Sequence, residues 1–266
     1  IYEIALDYLA IGLDPKNVTI FKQSDIPQHS ELAVILNSIT TMSYLMRAHA
    51  YKDAQARNKE ISVGTFDYPM LMAADILMYD ADVVPVGQDQ KQHIEITRDI
   101  AEKFNRIFGE TFKIPEPLIL ENVATVPGTD GKKMSKSYNN TIGLFAEDEE
   151  IEKAVMSIVT DSKAPGDTKD PEKDNIFALH KLFSKEQLSD LEKRYKEGGI
   201  SYKESKEILI ENIKKIIKPL REKRKELEKD KEYVLDILRE GGDEMRARAE
   251  KKMQEVRDKI GTKLYE

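Results

Sequence analysis

The chain has 266 residues, 40% hydrophobic and 34% charged, enough to bury a real core and to divide into two domains. Its 42 Lys/Arg against 49 Asp/Glu give a formal charge of −7, which argues against a general nucleic-acid binder. It has no cysteine, excluding disulfides, thiolate nucleophiles and cysteine–zinc sites, and no run approaches the roughly 18 apolar residues of a membrane span. The first residues also lack the basic-then-apolar pattern of a signal peptide, and a cytoplasmic location is the expectation.

The chain opens inside an amphipathic pattern (Ile1, Ile4, Ala5, Tyr8, Leu9) with no cap before it, so an N-terminal part is expected to precede it. This helix ends near Gly12, and Asp14-Pro15 makes a turn. Val18 to Phe21 reads as a buried strand. Ser30 is placed to cap a helix carrying Leu32, Ile35, Leu36 and Ile39. Lys52 to Glu60 reads as a surface loop or a frayed helix end. Pro69 fits the first turn of a helix running to about Tyr79. Asp82 to Val86 is a β-branched strand, and Gly87-Gln88-Asp89-Gln90 leads from it into a long helix to about Phe108. This alternation predicts an α/β fold, a Rossmann-like doubly wound parallel sheet, N-terminally incomplete, followed by an all-helical domain.

From about Glu147 only helical patterns follow: Ile151–Val159, Ile176–Phe183, Lys185–Tyr195, Tyr202–Leu238 and Asp243–Lys259. Asp161 to Asn175 is a flexible connection, and Gly198-Gly199 and Gly241-Gly242 read as helix breaks. The expected domains are 1–146, 147–240, and a C-terminal helix over 241–266 that packs back on the first. Residues 201–266 hold 19 Lys/Arg against 16 Asp/Glu, a locally basic third that either meets phosphates or is mixed charge on solvated helices.

Three groups of residues carry chemistry. Lys133-Met134-Ser135-Lys136-Ser137 puts two lysines three apart in a loop, able to bring cationic heads onto a polyphosphate. It is not a P-loop, because Met134 follows Lys133 where Ser or Thr is needed. Tyr68, Met72, Asp75 and Tyr79 share one helical face. That face is either a core stripe or one wall of a slot, and Asp75 is its misfit, since a carboxylate there must have a partner. Val84 and Val86 share a face of the next strand, and an apolar slot with one acceptor fits a flat ligand bearing a single N–H, such as indole. Gly87 to Gln90 opens a helix at a strand's C-terminal end, where ligands of doubly wound sheets lie. Asp89 there either accepts from a ribose hydroxyl or is an N-cap. No Asp/Glu/His cluster reads as a metal cage.

The lysine loop resembles the second signature of class I aminoacyl-tRNA synthetases over all five positions. With Tyr68-Pro-Met-Leu-Met-Ala-Ala-Asp75-Ile76 and Val84-Pro-Val-Gly-Gln-Asp-Gln-Lys-Gln-His93 in order and spacing, essentially the whole chain, including Ala154–Ser162, resembles the bacterial-type tryptophanyl-tRNA synthetases. The resemblance implies attachment of L-tryptophan to tRNA(Trp) through an adenylate, with ATP as substrate and Mg²⁺ bound with it. It implies that Asp75 accepts the indole N–H, that Met72, Val84 and Val86 pack on the ring, and that Tyr68 and Gln90 hold the ammonium end. Gly87 and Asp89 would bind ribose, Met134 would lie by the adenine, and Lys133 and Lys136, with Ser135 between them, would serve the triphosphate. The helical half would hold the anticodon, and the chain would form a homodimer, with the Leu32–Met46 helix either part of its interface or a core helix.

The family's His-x-Gly-His-type element is not found around His29, His49, His93 or His180. Many relatives carry Lys-Asp-Lys where this chain has Lys52-Asp53-Ala54, so Arg57 or Lys52 is expected to supply the missing charge at the phosphates. Two other readings remain, a tyrosyl-tRNA synthetase and a truncated, non-catalytic binding module. Against the first, the thioether of Met72 stands where an archaeal-type phenol pocket has an amide, and it packs well on an indole.

Overall fold

The computed structural model describes residues 1–56, 60–119 and 126–263, with the backbone alone at 49, 50, 53 and 54. The chain divides into two compact units: residues 15–124 with 235–266, and residues 2–14 with 125–234. The lysine loop groups with the second unit, where the Val159 N–H donates to the Thr129 C=O (3.4 Å).

The first unit is built around α2 (Gln28–Ile39), α5 (Val63–Leu77), α6 (Lys91–Phe108) and the C-terminal part of α11 (Lys231–Ile260). In α6, His93, Ile94, Ile96, Thr97, Ile100, Ala101 and Phe104 are buried at three- and four-residue intervals, one face of a helix. Of these, Ile96, Ile100, Ala101 and Phe104 join Leu32 and Leu36 of α2, Met70 and Leu77 of α5, and Met245, Ala249, Met253 and Val256 of α11 in one core. Burial of each large side chain contributes roughly 1.5–3 kcal/mol. Arg257 ties α11 to α2 through Glu31 (2.6 Å), and Gln28 reaches Glu250 (2.9 Å).

The sheet described is small. Strands β1 (Val83–Pro85) and β2 (Glu116–Leu118) run parallel, with Val84 opposite Pro117, and α6 makes the crossover between them. β2 was not foreseen: Pro115 and Pro117 mask it in sequence. Val18 to Phe21 is not a strand: among the described residues it has no ladder partner, and its Thr19 and Ile20 lie against α11 at Glu244 and Gly241.

Helix starts also differ from expectation. α2 begins at Gln28 after Pro27, which places Ser30 in its first turn rather than at its cap. α5 begins at Ser62, whose side chain accepts the Thr65 N–H (3.1 Å), so Pro69 lies inside the helix. The short helix α4 (His49–Ala56) occupies most of the stretch read as loop or frayed helix.

The second unit holds α1 (Tyr2–Ala10), α7 (Asp148–Met156), α8 (Asn175–Phe183), α9 (Leu188–Glu197) and α10 (Tyr202–Leu227); α3 (Met42–Leu45) is a single turn in the first unit. Ile151, Val155, Leu179, Leu209 and Ile213 form the helical core. α1 packs on α10, where Arg224 pairs with Asp7 (2.7 Å) and Glu3. Gly198, at φ +78°, ends α9 as expected.

The break expected at Gly241-Gly242 falls instead at Glu228–Asp230, where Asp230 accepts the Tyr233 N–H (3.0 Å), and α11 continues through both glycines. Glycine is required there for a different reason: a Cβ on Gly241 would stand 2.2 Å from the Ile20 carbonyl oxygen. Helix propensity alone favours Gly→Ala by about 1 kcal/mol. Gly242→Ala, with only ordinary contacts to Asp25 at 3.6 Å, is expected to raise the urea midpoint. Gly241→Ala is expected to lower it, by about 1–3 kcal/mol of overpacking. Equal stabilisation by both would remove the close approach from the account.

Candidate active site

Helix α5 buries Met70, Ala73, Ala74 and Leu77 almost completely. Tyr68, Met72, Asp75 and Tyr79 follow one another along the neighbouring face and are all half-buried. The stripe therefore borders the core without filling it.

Asp75 has the partners its position demands. The Gln23 side-chain amide donates to both carboxylate oxygens, at 2.9 and 2.8 Å. Nδ1 of buried His29 stands 3.2 Å from Oδ1, off the axis of a straight hydrogen bond, and Nε2 lies 2.6 Å from the Tyr79 hydroxyl. Burial pushes the Asp75 carboxyl above its ordinary range, while the Gln23 hydrogen bond and the His29 ring pull it down. Burial holds His29 below the usual imidazole value against the pull of Asp75. The Phe21, His29 and Tyr79 rings meet edge to face at 5.5–6.2 Å. A carboxylate accepts at about four positions, so Asp75 keeps room for a further donor. Gln23 and His29 escape sequence reasoning because they lie on other elements, 52 and 46 residues away, and no spacing rule reaches that far.

The other residues on this unit cluster at the C-terminal end of β1. Val84 and Val86 are half-buried on one face, with Val83 exposed on the other. Past the strand, a Cβ on Gly87 would come 2.6 Å from Asp89 Oδ1, so the acidic side chain folds back over bare backbone. Gln90 Nε2 donates to Asp89 Oδ2 (3.1 Å). Asp89 is not a cap: Gly87 holds the N-cap of the turn 88–90, and Gln90 that of α6. The Tyr68 hydroxyl is hydrogen-bonded to Nε2 of buried His93, and burial raises the phenol.

On the second unit, the lysine segment forms a small hairpin. Pro127 and Lys133 make an antiparallel bridge, and Met134 N–H donates to Val126 C=O (2.8 Å). One buried side chain closes it: Asn140 accepts the Ser135 N–H at 2.7 Å and donates to Lys133 C=O (3.1 Å) and Asp130 (2.7 Å). Gly128 and Gly131 are needed because a Cβ would collide with Asn140 (2.2 Å) and Asn175 (2.3 Å). Lys133 and Lys136 are exposed and, among the described residues, pair with no carboxylate. Ser135 is bonded to Ser137 (2.8 Å).

Tyr68, Met72, Asp75, Val84, Val86, Gly87, Asp89 and Gln90 thus lie on the first unit, and Lys133 to Lys136 on the second. Lys52 is exposed. Arg57 and the side chain of Ala54 lie outside the described residues. In a cavity of about 440 Å³ on the second unit, Lys163 pairs with Asp161, Lys173 with Asp170, and Asp174 caps the following helix by accepting the Phe177 N–H. Among the described residues no three metal-ligating side chains group closely enough to hold an ion, and no helix is long and apolar enough to cross a membrane.

The family model for tRNA synthetases class I (W and Y) matches residues 1–218. A tryptophan–tRNA ligase of Fusobacterium nucleatum is 49% identical over 98% of this chain and 80% of its own length. One of Rhodopirellula baltica is 47% identical over 97% and 81%. The crystal structure of a tryptophanyl-tRNA synthetase from Campylobacter jejuni, complexed with ADP and tryptophan, superposes with a TM-score of 0.88 at 45% identity, covering 98% of this chain and 82% of that one. The chain belongs to the class I aminoacyl-tRNA synthetases of the tryptophan and tyrosine family.

Asn140→Ala is expected to strip the Ser135 N–H of its partner and to cost about 1–3 kcal/mol. By hydrogen exchange the Ser135 amide should then exchange on the order of ten times faster, while Thr129, bonded to the Asn140 main-chain oxygen, should change less. Unchanged exchange at Ser135 would show that Asn140 does not set the hairpin.

Proposed function

We propose that this chain is a tryptophan–tRNA ligase, joining L-tryptophan to tRNA(Trp) through tryptophanyl-adenylate with ATP. The observation that carries the reading is the Asp75 carboxylate, held by Gln23 at the rim of the core one turn after Met72. A single acceptor beside apolar surface fits the one N–H of an indole. A phenol would instead call for a group that both donates and accepts, and Met72 is no such partner. The tryptophan specificity in the names of relatives at 47–49% identity points the same way.

In this reading Asp75 accepts the indole N–H, Met72, Val84 and Val86 pack on the ring, and Tyr68 and Gln90 hold the ammonium. Asp89 and the bare backbone of Gly87 take the ribose, and Met134 lies against the adenine. Lys133 and Lys136, exposed and without carboxylate partners among the described residues, take the triphosphate. Ser135 positions the segment between them, and Mg²⁺ comes with the ATP phosphates.

The substrate carboxylate is ionised at neutral pH and attacks the α-phosphate without a general base. The protein's contribution is alignment and stabilisation of charge on departing pyrophosphate. The adenylate then acylates the terminal ribose of the tRNA, whose anticodon the helical region, 147–240, holds. A catalytic domain over 1–146, with the part of α11 from Gly241 onward packed back on it, a cytoplasmic location and a homodimer complete the proposal.

ATP–pyrophosphate exchange tests it. Asp75→Ala is expected to raise KM for tryptophan on the order of 10–100-fold, the loss of a hydrogen bond to a charged group. Lys133→Ala and Lys136→Ala should lower the exchange rate on the order of 100–1,000-fold with tryptophan KM little changed. Arg57→Ala should slow adenylate formation much more than it weakens tryptophan binding; small, equal effects remove Arg57 from the site. Exchange with tyrosine but not tryptophan would overturn the specificity, and none with either would leave the binding-module reading.

A further inference from the structure

We propose that His29 is a positioning residue for tryptophan recognition: its Nδ1–H aims the Asp75 carboxylate, so that one oxygen is presented to the indole N–H. The inference rests on the role proposed for Asp75 above and adds a residue to it.

The argument begins with a buried nitrogen. His29 is almost fully buried, and its Nδ1 has one polar neighbour among the described residues, Asp75 Oδ1 at 3.2 Å. On the other side of the ring, Nε2 meets the Tyr79 hydroxyl at 2.6 Å. A neutral imidazole carries one proton, and the atom facing a carboxylate is the one that keeps it. Nε2 then accepts from the Tyr79 hydroxyl, which burial keeps protonated. The edge-to-face contacts with Phe21 and Tyr79 hold the ring against rotation.

Asp75 is thereby approached from two directions. Gln23 reaches both oxygens from the turn 23–25, which is exposed at its side chain, whereas His29 reaches Oδ1 from inside the core. Gln23 can follow a moving carboxylate; His29 cannot. The off-axis approach of Nδ1 to Oδ1 at 3.2 Å sets the imidazole side of the carboxylate, and beyond the two Gln23 bonds the group keeps acceptor positions for an incoming donor. Burial disfavours the ionised form of Asp75, and the Gln23 hydrogen bond and the nearby His29 ring offset part of that penalty.

The two amide replacements of histidine divide the ring's functions. His29→Asn keeps a donor near the place of Nδ1. His29→Gln keeps a polar group near Nε2, on the Tyr79 side, and lacks the donor to Asp75. The readout is the preference in ATP–pyrophosphate exchange for tryptophan over 3-(3-benzothienyl)-alanine, in which sulfur replaces the indole N–H.

The parent chain is expected to prefer tryptophan by on the order of 100-fold or more, because a site built around a donor rejects the analogue lacking it. His29→Ala and His29→Gln should each reduce that preference roughly tenfold. His29→Asn should retain most of it. A structural role alone would lower exchange with both amino acids equally and leave the ratio unchanged in all three variants, which overturns the proposal. A parent chain that does not discriminate at all would instead sink the role given to Asp75, so the two failures are distinguishable. Should His29→Ala fail to fold, the Asn and Gln pair still decides the matter: equal ratios in both would count against His29.

Discussion

A carboxylate at the rim of an apolar core has to be held by donors, and the arrangement around Asp75 follows from that requirement. The groups that meet it come from two segments that precede α5 in the chain: Gln23, which donates from the short turn 23–25, and His29 of α2, whose ring stands 3.2 Å away. Because both must reach the same group, α2, the turn and α5 are fixed in register with one another, and the Phe21, His29 and Tyr79 rings fill the space between them. The apolar packing of Leu36, Met70 and Leu77 would tolerate small slips of one helix along another, as cores do when volume is kept. A polar junction with two partners tolerates fewer. The same constraint that completes the hydrogen bonding of a half-buried acid leaves an oriented acceptor at the surface.

Much of this was legible in sequence because it is local. The helical spacing of Tyr68, Met72, Asp75 and Tyr79, the strand at Val83–Pro85, the turn at Gly87–Gln90 and the helices after Asp148 all follow from periodicity and turn chemistry. What could not be read is what depends on partners far along the chain. Val18 to Phe21 has the β-branched pattern of a strand, but a strand exists only when another lies beside it. β2 carries two prolines and little hydrophobic pattern, and pairing makes it a strand. Gly241-Gly242 looked like a break because glycine is a poor helix former; close packing under Ile20 is the stronger influence. His29 and Asn140 were overlooked for the same reason. Each is an unremarkable polar residue in sequence, and each gains meaning only from groups that the fold brings to it.

The lysine hairpin shows how a cationic segment can be exposed and still have a defined form. Its main chain closes on itself from Val126 to Met134, and Asn140 satisfies a donor and an acceptor in its middle. Orienting the loop thus draws on a buried amide and on backbone, which leaves the lysine heads uncommitted. Lysines already engaged by carboxylates, such as Lys214 with Glu152 or Lys225 with Glu147, would have to break a pair to meet an anion.

The way the first core is assembled has a consequence for the growing chain on the ribosome. Its apolar faces come from α2, α5 and α6, and the last layer comes from Met245, Ala249, Met253 and Val256. At 5–20 residues per second, the stretch between Leu36 and Met253 takes on the order of ten to forty seconds to make. Throughout that interval Leu36, Met70 and Phe104 lack their final cover. The helical core from Ile151 to Ile217 draws on one contiguous stretch, and all of its members are made before α11 is complete. The half of the molecule made first is therefore the half that finishes last, and in the cell it is the nascent surface for which a chaperone would compete.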